Sequence, residues 1–214
     1  MDSSNVFHRL ADYRIVTVIA IENANSALSL ADALIEGGLP VAEITFRTSA
    51  AGDVITRLKK ERPDLLLGAG TVLTEDQARR AKDCGASFAV APGLNPRVVE
   101  TARKIGLPFA PGVMTPSDVE TALAMGLDVL KFFPAGAAGG PTFLKSLSAP
   151  YAHTGVRFIP TGGVNVRNMT AYLELLQVLA VGGTWIANKA DIAAGNWETV
   201  RMHCREAAAA LPGD

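Results

Sequence analysis

The sequence predicts an α/β protein that forms a (β/α)8 TIM barrel in a single domain over residues 1–214, with an additional N-terminal helix. Short apolar runs typical of strands alternate eight times with segments of helical periodicity, which indicates a parallel sheet with helical crossovers. Eight such repeats fit a chain of 214 residues. The alternative is an open doubly wound sheet. It is disfavoured because no strand is followed by the Gly-x-Gly-x-x-Gly pattern of dinucleotide-binding folds.

The first half of the chain contains four predicted strands, each a short stretch rich in apolar residues. They span residues 15–21, 41–46, 65–69 and 87–91. A helix is predicted before the first strand, at residues 3–11, with Ser3 or Ser4 as its N-cap. The helices that follow the strands are predicted to begin at Asn25 or Ser26, at residue 50, at Thr74 with Gln77 as its capping-box partner, and at residue 96.

The second half continues the same alternation. Its predicted strands span residues 108–110, 127–133, 156–160 and 178–181. A helix is predicted after the first of these, because Thr115 is a good N-cap and Pro116 suits the first helical position. The remaining predicted helices span residues 141–148, 166–175, 189–194 and 197–211.

Composition excludes several classes of partner. The formal net charge is −1 and the basic residues are scattered, so we expect no binding to nucleic acid or to an anionic membrane. No apolar run approaches the roughly 20 residues of a membrane-spanning helix, and the N-terminus lacks a signal-peptide pattern. Cys84 and Cys204 are far apart and have no metal-ligand spacing, so free thiols in a reducing cytoplasm are expected.

Lys131 lies inside the apolar segment 127–134, which reads as a buried strand ended by Pro134. A buried lysine is costly unless it is paired or deprotonated. A neutral amine is a nucleophile toward carbonyl carbons, so the position suggests covalent catalysis. The alternative is a lysine that reaches solvent or pairs with a carboxylate.

Polar side chains mark the carboxyl ends of the other predicted strands, where barrel enzymes place their active sites. Glu43, Thr45 and Arg47 alternate with apolar residues, so they share one face of the second strand. In a closed barrel this face is the interior, where a carboxylate and a guanidinium need partners. Thr71 follows the third strand and Pro92 follows the fourth.

Two glycine pairs follow the last two strands. Gly162-Gly163 follows Thr161, and Gly182-Gly183 precedes Thr184. Glycines let a backbone approach a ligand closely, and the first pair precedes a helix predicted to start near Asn165, whose N–H groups would face an anion. Loops at these two places often bind phosphate in such barrels. The alternative is that both pairs only form tight turns.

Five segments occur in an order that resembles the 2-keto-3-deoxy-6-phosphogluconate (KDPG) aldolase family, whose members are often also 4-hydroxy-2-oxoglutarate (KHG) aldolases. The resemblance runs from about Ile15 to Val200. Its most specific part is Lys-Phe-Phe-Pro-Ala at 131–135, together with the glutamate and arginine of the second strand. The other segments are Gly-Ala-Gly-Thr-Val-Leu at 68–73, Pro-Thr-Gly-Gly at 160–163 and Gly-Gly-Thr-Trp at 182–185.

The resemblance implies a homotrimeric class I aldolase that uses no metal and no cofactor, a view that the dispersed histidines His8, His153 and His203 fit. The Schiff-base lysine of the family falls on Lys131, and its general acid/base falls on Glu43. The predicted substrate-binding residues are Arg47 and Thr71 for the keto acid, Thr161, Gly162, Gly163, Gly183 and Thr184 for the phosphate, and Pro92 and Phe133 beside them. Familiar members have serine where this chain has Thr184, and some have an arginine where it has Ala20.

The predicted reaction is cleavage of KDPG to pyruvate and glyceraldehyde 3-phosphate. The nearest alternatives are the same chemistry on 4-hydroxy-2-oxoglutarate or on the galactonate epimer of KDPG. An alternative from another class is a non-catalytic barrel that binds a phosphosugar as a sensor.

Overall fold

The computed structural model describes residues 3–212, with side chains described from residue 6 onward. Short strands and helices alternate along this part of the chain, which confirms the α/β class. Strands β1–β9 span Ile15–Ile19, Val41–Thr45, Leu66–Gly70, Phe88–Val90, Phe109–Ala110, Gly112–Val113, Val129–Phe132, Arg157–Pro160 and Val181–Gly183. Helices α1–α10 span Ser3–Tyr13, Ala27–Glu36, Ala51–Glu61, Glu75–Asp83, Pro96–Lys104, Pro116–Ala124, Gly140–Ser148, Met169–Leu173, Lys189–Ala194 and Trp197–Ala209.

The strands form two parallel sheets. Six strands pair in the order β5-β4-β3-β2-β1-β9, and three pair in the order β6-β7-β8. The two sheets approach each other at two isolated parallel bridges, Phe158 with Val178 and Thr161 with Gly182. All carboxyl ends therefore point the same way within each sheet, which is what brings residues from distant strand ends together.

Two apolar layers hold the strands in place. The larger layer packs one face of the strands against the helices. The smaller layer lies on the other face, and it includes Val16, Val41, Phe88, Val129 and Ile159 from strands of both sheets. Helix α1 joins the smaller layer near the amino ends of the strands through residues such as Phe7 and Leu10. The carboxyl ends of the strands are thus left free of α1.

Helices start at the predicted caps at three places, and at two of them the cap forms a side-chain hydrogen bond. The Thr74 hydroxyl accepts from the Gln77 N–H at 3.1 Å, and Thr115 forms a capping box with Asp118. Ser26 is the N-cap residue of α2, which agrees with the predicted start at Asn25 or Ser26, but its side chain forms no capping hydrogen bond. The Asn23 side chain accepts from the Asn25 N–H and caps the 3-10 turn that precedes α2. The predicted caps Ser3 and Ser4 lie outside the described side chains.

The predicted fifth strand at 108–110 is instead two short strands, β5 and β6, separated by Pro111. Proline has no N–H and cannot donate to a strand ladder. Its carbonyl is used, however, because Pro111 accepts from the Lys131 N–H at 2.8 Å. The interruption therefore lets the chain leave the first sheet and pair with β7 in the second.

Two elements predicted in the C-terminal half differ from the structure in position or length. The strand predicted at 178–181 begins to pair with β1 only at Val181, and Val178 forms only an isolated bridge. The helix predicted at 166–175 is the short α8, Met169–Leu173. The reason lies in two asparagines: Asn168 accepts from the Asn165 N–H at 2.8 Å, and Asn165 accepts from the Arg167 N–H at 2.9 Å. Such side-chain bonds hold the backbone in a turn and compete with a helix.

Candidate active site

Lys131 and Glu43 form a buried pair between the two sheets. Lys131 Nζ lies 3.1 Å from Glu43 Oε1 and 3.3 Å from Glu43 Oε2. The two residues are 5% and 3% exposed. Taking two charges out of water is expensive, and a buried ion pair often stabilises a protein less than apolar residues of the same size. Stability alone therefore does not explain this pair, which points to a chemical role. The contact also agrees with the simpler interpretation, a lysine paired with a carboxylate.

The predicted site residues all border one cavity of about 130 Å³ at the carboxyl ends of the strands. A water needs about 10–15 Å³ on this measure, so the cavity admits a small molecule. The predicted residues around it are Glu43, Arg47, Thr71, Pro92, Lys131, Phe133, Thr161, Gly162, Gly163, Gly183 and Thr184. They come from six segments of the chain that sequence spacing alone does not bring together.

Three further lining residues, Val18, Thr45 and Val164, were not in the predicted set. The strand period of two had already placed Thr45 on the same face as Glu43 and Arg47, but no role in the site was assigned to it. Its hydroxyl donates to the Ile19 carbonyl at 2.9 Å and accepts from Arg47 Nε at 3.2 Å. Thr45 thus ties the guanidinium of Arg47 to the end of β1.

Arg47 brings positive charge to the rim of the cavity. The residue is exposed, and within residues 6–212 no carboxylate forms a salt bridge with its guanidinium. A guanidinium offers a planar fork of donors that matches a carboxylate. Arg47 is therefore available to a bound anion.

Thr71 adopts a left-handed backbone conformation, with φ of +57°, directly after β3. This region is uncommon for residues other than glycine, and such strained residues cluster at functional sites. The Val72 N–H donates to the Val90 carbonyl at 3.1 Å, which holds the next residue on β4. Thr71 is therefore held in this conformation at the wall of the cavity.

The first glycine pair has a conformational need for glycine. Gly162 and Gly163 have φ of +90° and +79°. A Cβ atom on Gly163 would lie 3.2 Å from Gly136 Cα, so it would point at the neighbouring loop and not into the cavity. The expected helix start near Asn165 is wrong, and α8, with five residues, begins too late to direct its N-terminus at this cavity. Any anion here would depend on loop N–H groups and hydroxyls.

The other candidate nucleophiles and metal ligands lie outside the cavity. Cys84 and Cys204 are free thiols, and burial raises the pKa of Cys204 to about 12, which makes it unreactive. No group of three or more histidine, cysteine, aspartate or glutamate side chains in the described chain is placed to hold a metal ion. Between residues 3 and 212, no helix combines the length and the apolar character needed to cross a membrane.

Comparison with known proteins identifies the family of this chain. The sequence model of the KDPG and KHG aldolase family matches residues 6–203. A 2-dehydro-3-deoxy-phosphogluconate aldolase of Haemophilus influenzae is 44% identical over 204 residues, which is 95% of each chain. A KHG/KDPG aldolase of Escherichia coli is 38% identical over 193 residues, which is 90% of each chain.

A solved structure shows the same fold. The KDPG aldolase of Legionella pneumophila, with pyruvate captured at low pH as a covalent carbinolamine intermediate, superposes with a TM-score of 0.89 at 38% identity, covering 96% of this chain and 97% of that one. The family model and the identities over nearly the full length agree with the resemblance seen in the sequence. This chain belongs to the KDPG and KHG aldolase family.

Proposed function

We propose that this protein is a class I aldolase that cleaves KDPG to pyruvate and glyceraldehyde 3-phosphate. The observation that carries the proposal is the buried Lys131 amine, 3.1 Å from the Glu43 carboxylate in a cavity with the Arg47 guanidinium at its rim. The Haemophilus influenzae relative is a 2-dehydro-3-deoxy-phosphogluconate aldolase, and the Legionella pneumophila KDPG aldolase holds pyruvate as a covalent carbinolamine.

Lys131 acts as the nucleophile in this proposal. Its neutral amine attacks the C2 carbonyl of the 2-keto acid to give a carbinolamine, which loses water to give an iminium. When the C3–C4 bond breaks, its electron pair moves into the iminium and forms an enamine. The aldehyde leaves, C3 takes up a proton, and water releases pyruvate and restores the amine. The iminium is the electron sink, so the step needs no metal.

Glu43 moves the protons of this sequence. The carboxylate takes the proton that an ammonium at Lys131 must lose before it attacks a carbonyl, and both of its oxygens lie within 3.3 Å of Nζ. Glu43 returns this proton to the carbinolamine hydroxyl, which leaves as water, so in cleavage the carboxylate is free again to accept the C4 hydroxyl proton as the aldehyde forms. Its low exposure keeps bulk water from competing for these transfers.

Arg47 and Thr71 hold the carboxylate of the keto acid. The Arg47 guanidinium is fixed by Thr45 and has donors left for a bidentate contact. Thr71 follows β3, the strand paired with β2, and it also lines the cavity. Phe133 and Pro92 complete the apolar wall on which the three-carbon part of the substrate packs.

Thr161, Gly162, Gly163, Gly183 and Thr184 bind the phosphate in this proposal. Thr184 gives the sharpest test, because it is exposed at the cavity rim and can lose its hydroxyl without disturbing packing. We expect Thr184→Ala to raise KM for KDPG about tenfold, the loss of one hydrogen bond to a charged group. KM for 4-hydroxy-2-oxoglutarate, which has no phosphate, should change much less.

The matched control for this prediction is Thr184→Ser, which keeps the hydroxyl and should leave both KM values near those of the parent protein. Steady-state kinetics on the two substrates measure the ratio. Equal losses for both substrates in Thr184→Ala would mean that the loop forms turns only. Substitution of Gly163 is a poor test, because its positive φ and the contact with Gly136 would strain the loop.

We expect the activity to be independent of divalent metal. Exhaustive dialysis against EDTA should leave kcat and KM for KDPG unchanged, because the iminium replaces a metal as the electron sink. The coupled assay with added Mg²⁺ or Mn²⁺ provides the comparison. Activity that disappears on chelation and returns with either ion would assign the protein to the metal-dependent aldolase class.

A panel of phosphorylated and unphosphorylated 2-keto acids discriminates between the leading functions. The main proposal requires the highest kcat/KM for KDPG. A preference for 4-hydroxy-2-oxoglutarate or the galactonate epimer would move the assignment within the family. Binding of phosphosugars with no turnover would leave a sensor barrel as the function.

We also propose that the two sheets close into an eight-stranded (β/α)8 barrel that forms a single domain. Support comes from the bridges between β8 and the segment before and within β9, and from the chain passing through Pro111 from one sheet to the other. The apolar layer shared by strands of both sheets has the composition of a barrel interior. By likeness to the family we propose a homotrimer, and the two free thiols fit a cytoplasmic location.

A further inference from the structure

We infer that Gly70 is a positioning residue for Glu43, because its missing side chain leaves the space in which the Glu43 carboxylate lies. The inference rests on the proton-transfer role proposed for Glu43. Gly70 is the last residue of β3 and forms part of the wall next to the Lys131–Glu43 pair.

The geometry leaves no room for a larger residue. A Cβ atom at Gly70 would lie 2.1 Å from Glu43 Oε1 and 2.8 Å from both Cγ and Cδ of Glu43. The strand register explains this overlap. Glu43 is paired with Gly68 and Thr45 with Gly70, so a side chain that runs along β2 from Glu43 reaches its diagonal neighbour Gly70.

Backbone conformation does not require glycine at this position. Gly70 lies within a regular strand and has no positive φ, unlike Gly162 and Gly163. What requires glycine is the volume taken by the carboxylate. Glu43 is 3% exposed and borders the cavity, so a carboxylate displaced from this space would move toward the cavity.

The space matters because the other restraint on Glu43 is temporary. Within the described residues, Lys131 is the one hydrogen-bond partner of the Glu43 carboxylate. Once Nζ is bonded to the substrate carbon, it can no longer donate as an ammonium. The space at Gly70 does not depend on Lys131, so the carboxylate can stay beside the reacting atoms when this hydrogen bond is lost.

Gly68 offers a matched comparison on the same strand and the same face. A Cβ atom at Gly68 would lie 2.2 Å from Phe88 Cζ. Phe88 belongs to the apolar layer and does not line the cavity. Gly68→Ala therefore introduces a similar overlap whose three nearest atoms all belong to Phe88, whereas those at Gly70 all belong to Glu43.

The test measures kcat, KM and Tm for Gly70→Ala in three backgrounds: the parent chain, Glu43→Gln and Glu43→Ala. In the parent chain we expect kcat to fall on the order of 10²-fold, the cost of moving a catalytic group by about 1 Å. KM should change little, because Glu43 does not hold the substrate carboxylate or phosphate. Tm should also fall.

The two Glu43 backgrounds separate an effect on the position of the carboxylate from an effect on packing. Glutamine fills the same space as glutamate, so Gly70→Ala should lower the Tm of Glu43→Gln but leave its already low kcat unchanged. Alanine at 43 vacates the space, so there Gly70→Ala should change neither value. Gly68→Ala should lower Tm equally in all three backgrounds.

Two results would overturn the inference: an equal fall in kcat in the parent and Glu43→Gln backgrounds, or normal turnover in Gly70→Ala. If Gly70→Ala does not fold, the Glu43→Ala/Gly70→Ala protein should fold, and its failure to do so contradicts the inference. Normal turnover in Glu43→Gln alone would instead refute the role proposed for Glu43, which is a separate outcome.

Discussion

Glu43→Gln is expected to lower kcat for KDPG cleavage by about 10²–10⁴-fold, the usual contribution of general acid–base catalysis. Glutamine keeps the volume of the side chain and accepts a hydrogen bond from Lys131, but it cannot take up a proton. Because the cavity wall is unchanged, KM should stay close to that of the parent protein.

Stability is the control for this prediction. The Tm of Glu43→Gln should remain within a few degrees of the parent, because glutamine keeps the side-chain volume and still accepts a hydrogen bond from Lys131, so neither buried group is left without a hydrogen-bond partner. Stopped-flow or coupled steady-state assays give kcat, and thermal unfolding gives Tm. A large loss of Tm with near-normal turnover would mean that Glu43 serves the fold and not the reaction.

Lys131→Met is expected to abolish turnover, because no other amine of the described chain lines the cavity. Methionine approximates the length of the side chain and removes the amine. It also leaves the Glu43 carboxylate buried without a partner, so the variant should lose about 3–5 kcal/mol of stability while that carboxylate stays charged. The double variant Lys131→Met/Glu43→Gln should recover most of this loss.

Lys145→Met is the matched control for the lysine. Lys145 is exposed on α7, outside the cavity, so its loss should leave both turnover and stability near those of the parent. Residual turnover in Lys131→Met at more than trace levels would mean that another group forms the covalent intermediate, or that none is formed.

The parts of the fold that could be predicted are those controlled by local pattern. Apolar runs located the strands, and Thr74 and Thr115 marked helix starts because capping depends on a few adjacent residues. The elements that differ from the prediction are those in which a side-chain hydrogen bond or a missing backbone N–H prevented the structure that the pattern indicates. Pro111 divided one predicted strand, and Asn165 with Asn168 shortened a predicted helix.

The candidate site depends on contacts between parts of the chain that are far apart in sequence. Lys131 and Glu43 are 88 residues apart, and their contact depends on closing strands from two sheets around one cavity. Their residue types and strand positions could be recognised in the sequence, but the distance between them could not. Gly70 was missed as a contributor because its role is an absence of atoms, which becomes visible only when the Glu43 side chain is placed beside it.

The central claim is that Lys131 forms the Schiff base, and borohydride trapping with pyruvate tests it most directly. The full-length protein is incubated with pyruvate, reduced with sodium borohydride, digested and analysed by mass spectrometry, with Lys145→Met and Lys131→Met treated in parallel. We expect one pyruvate-derived adduct on the peptide that contains Lys131, in the parent protein and in Lys145→Met, and none in Lys131→Met. An adduct on a different lysine in Lys131→Met, or no adduct in the parent protein, would contradict it.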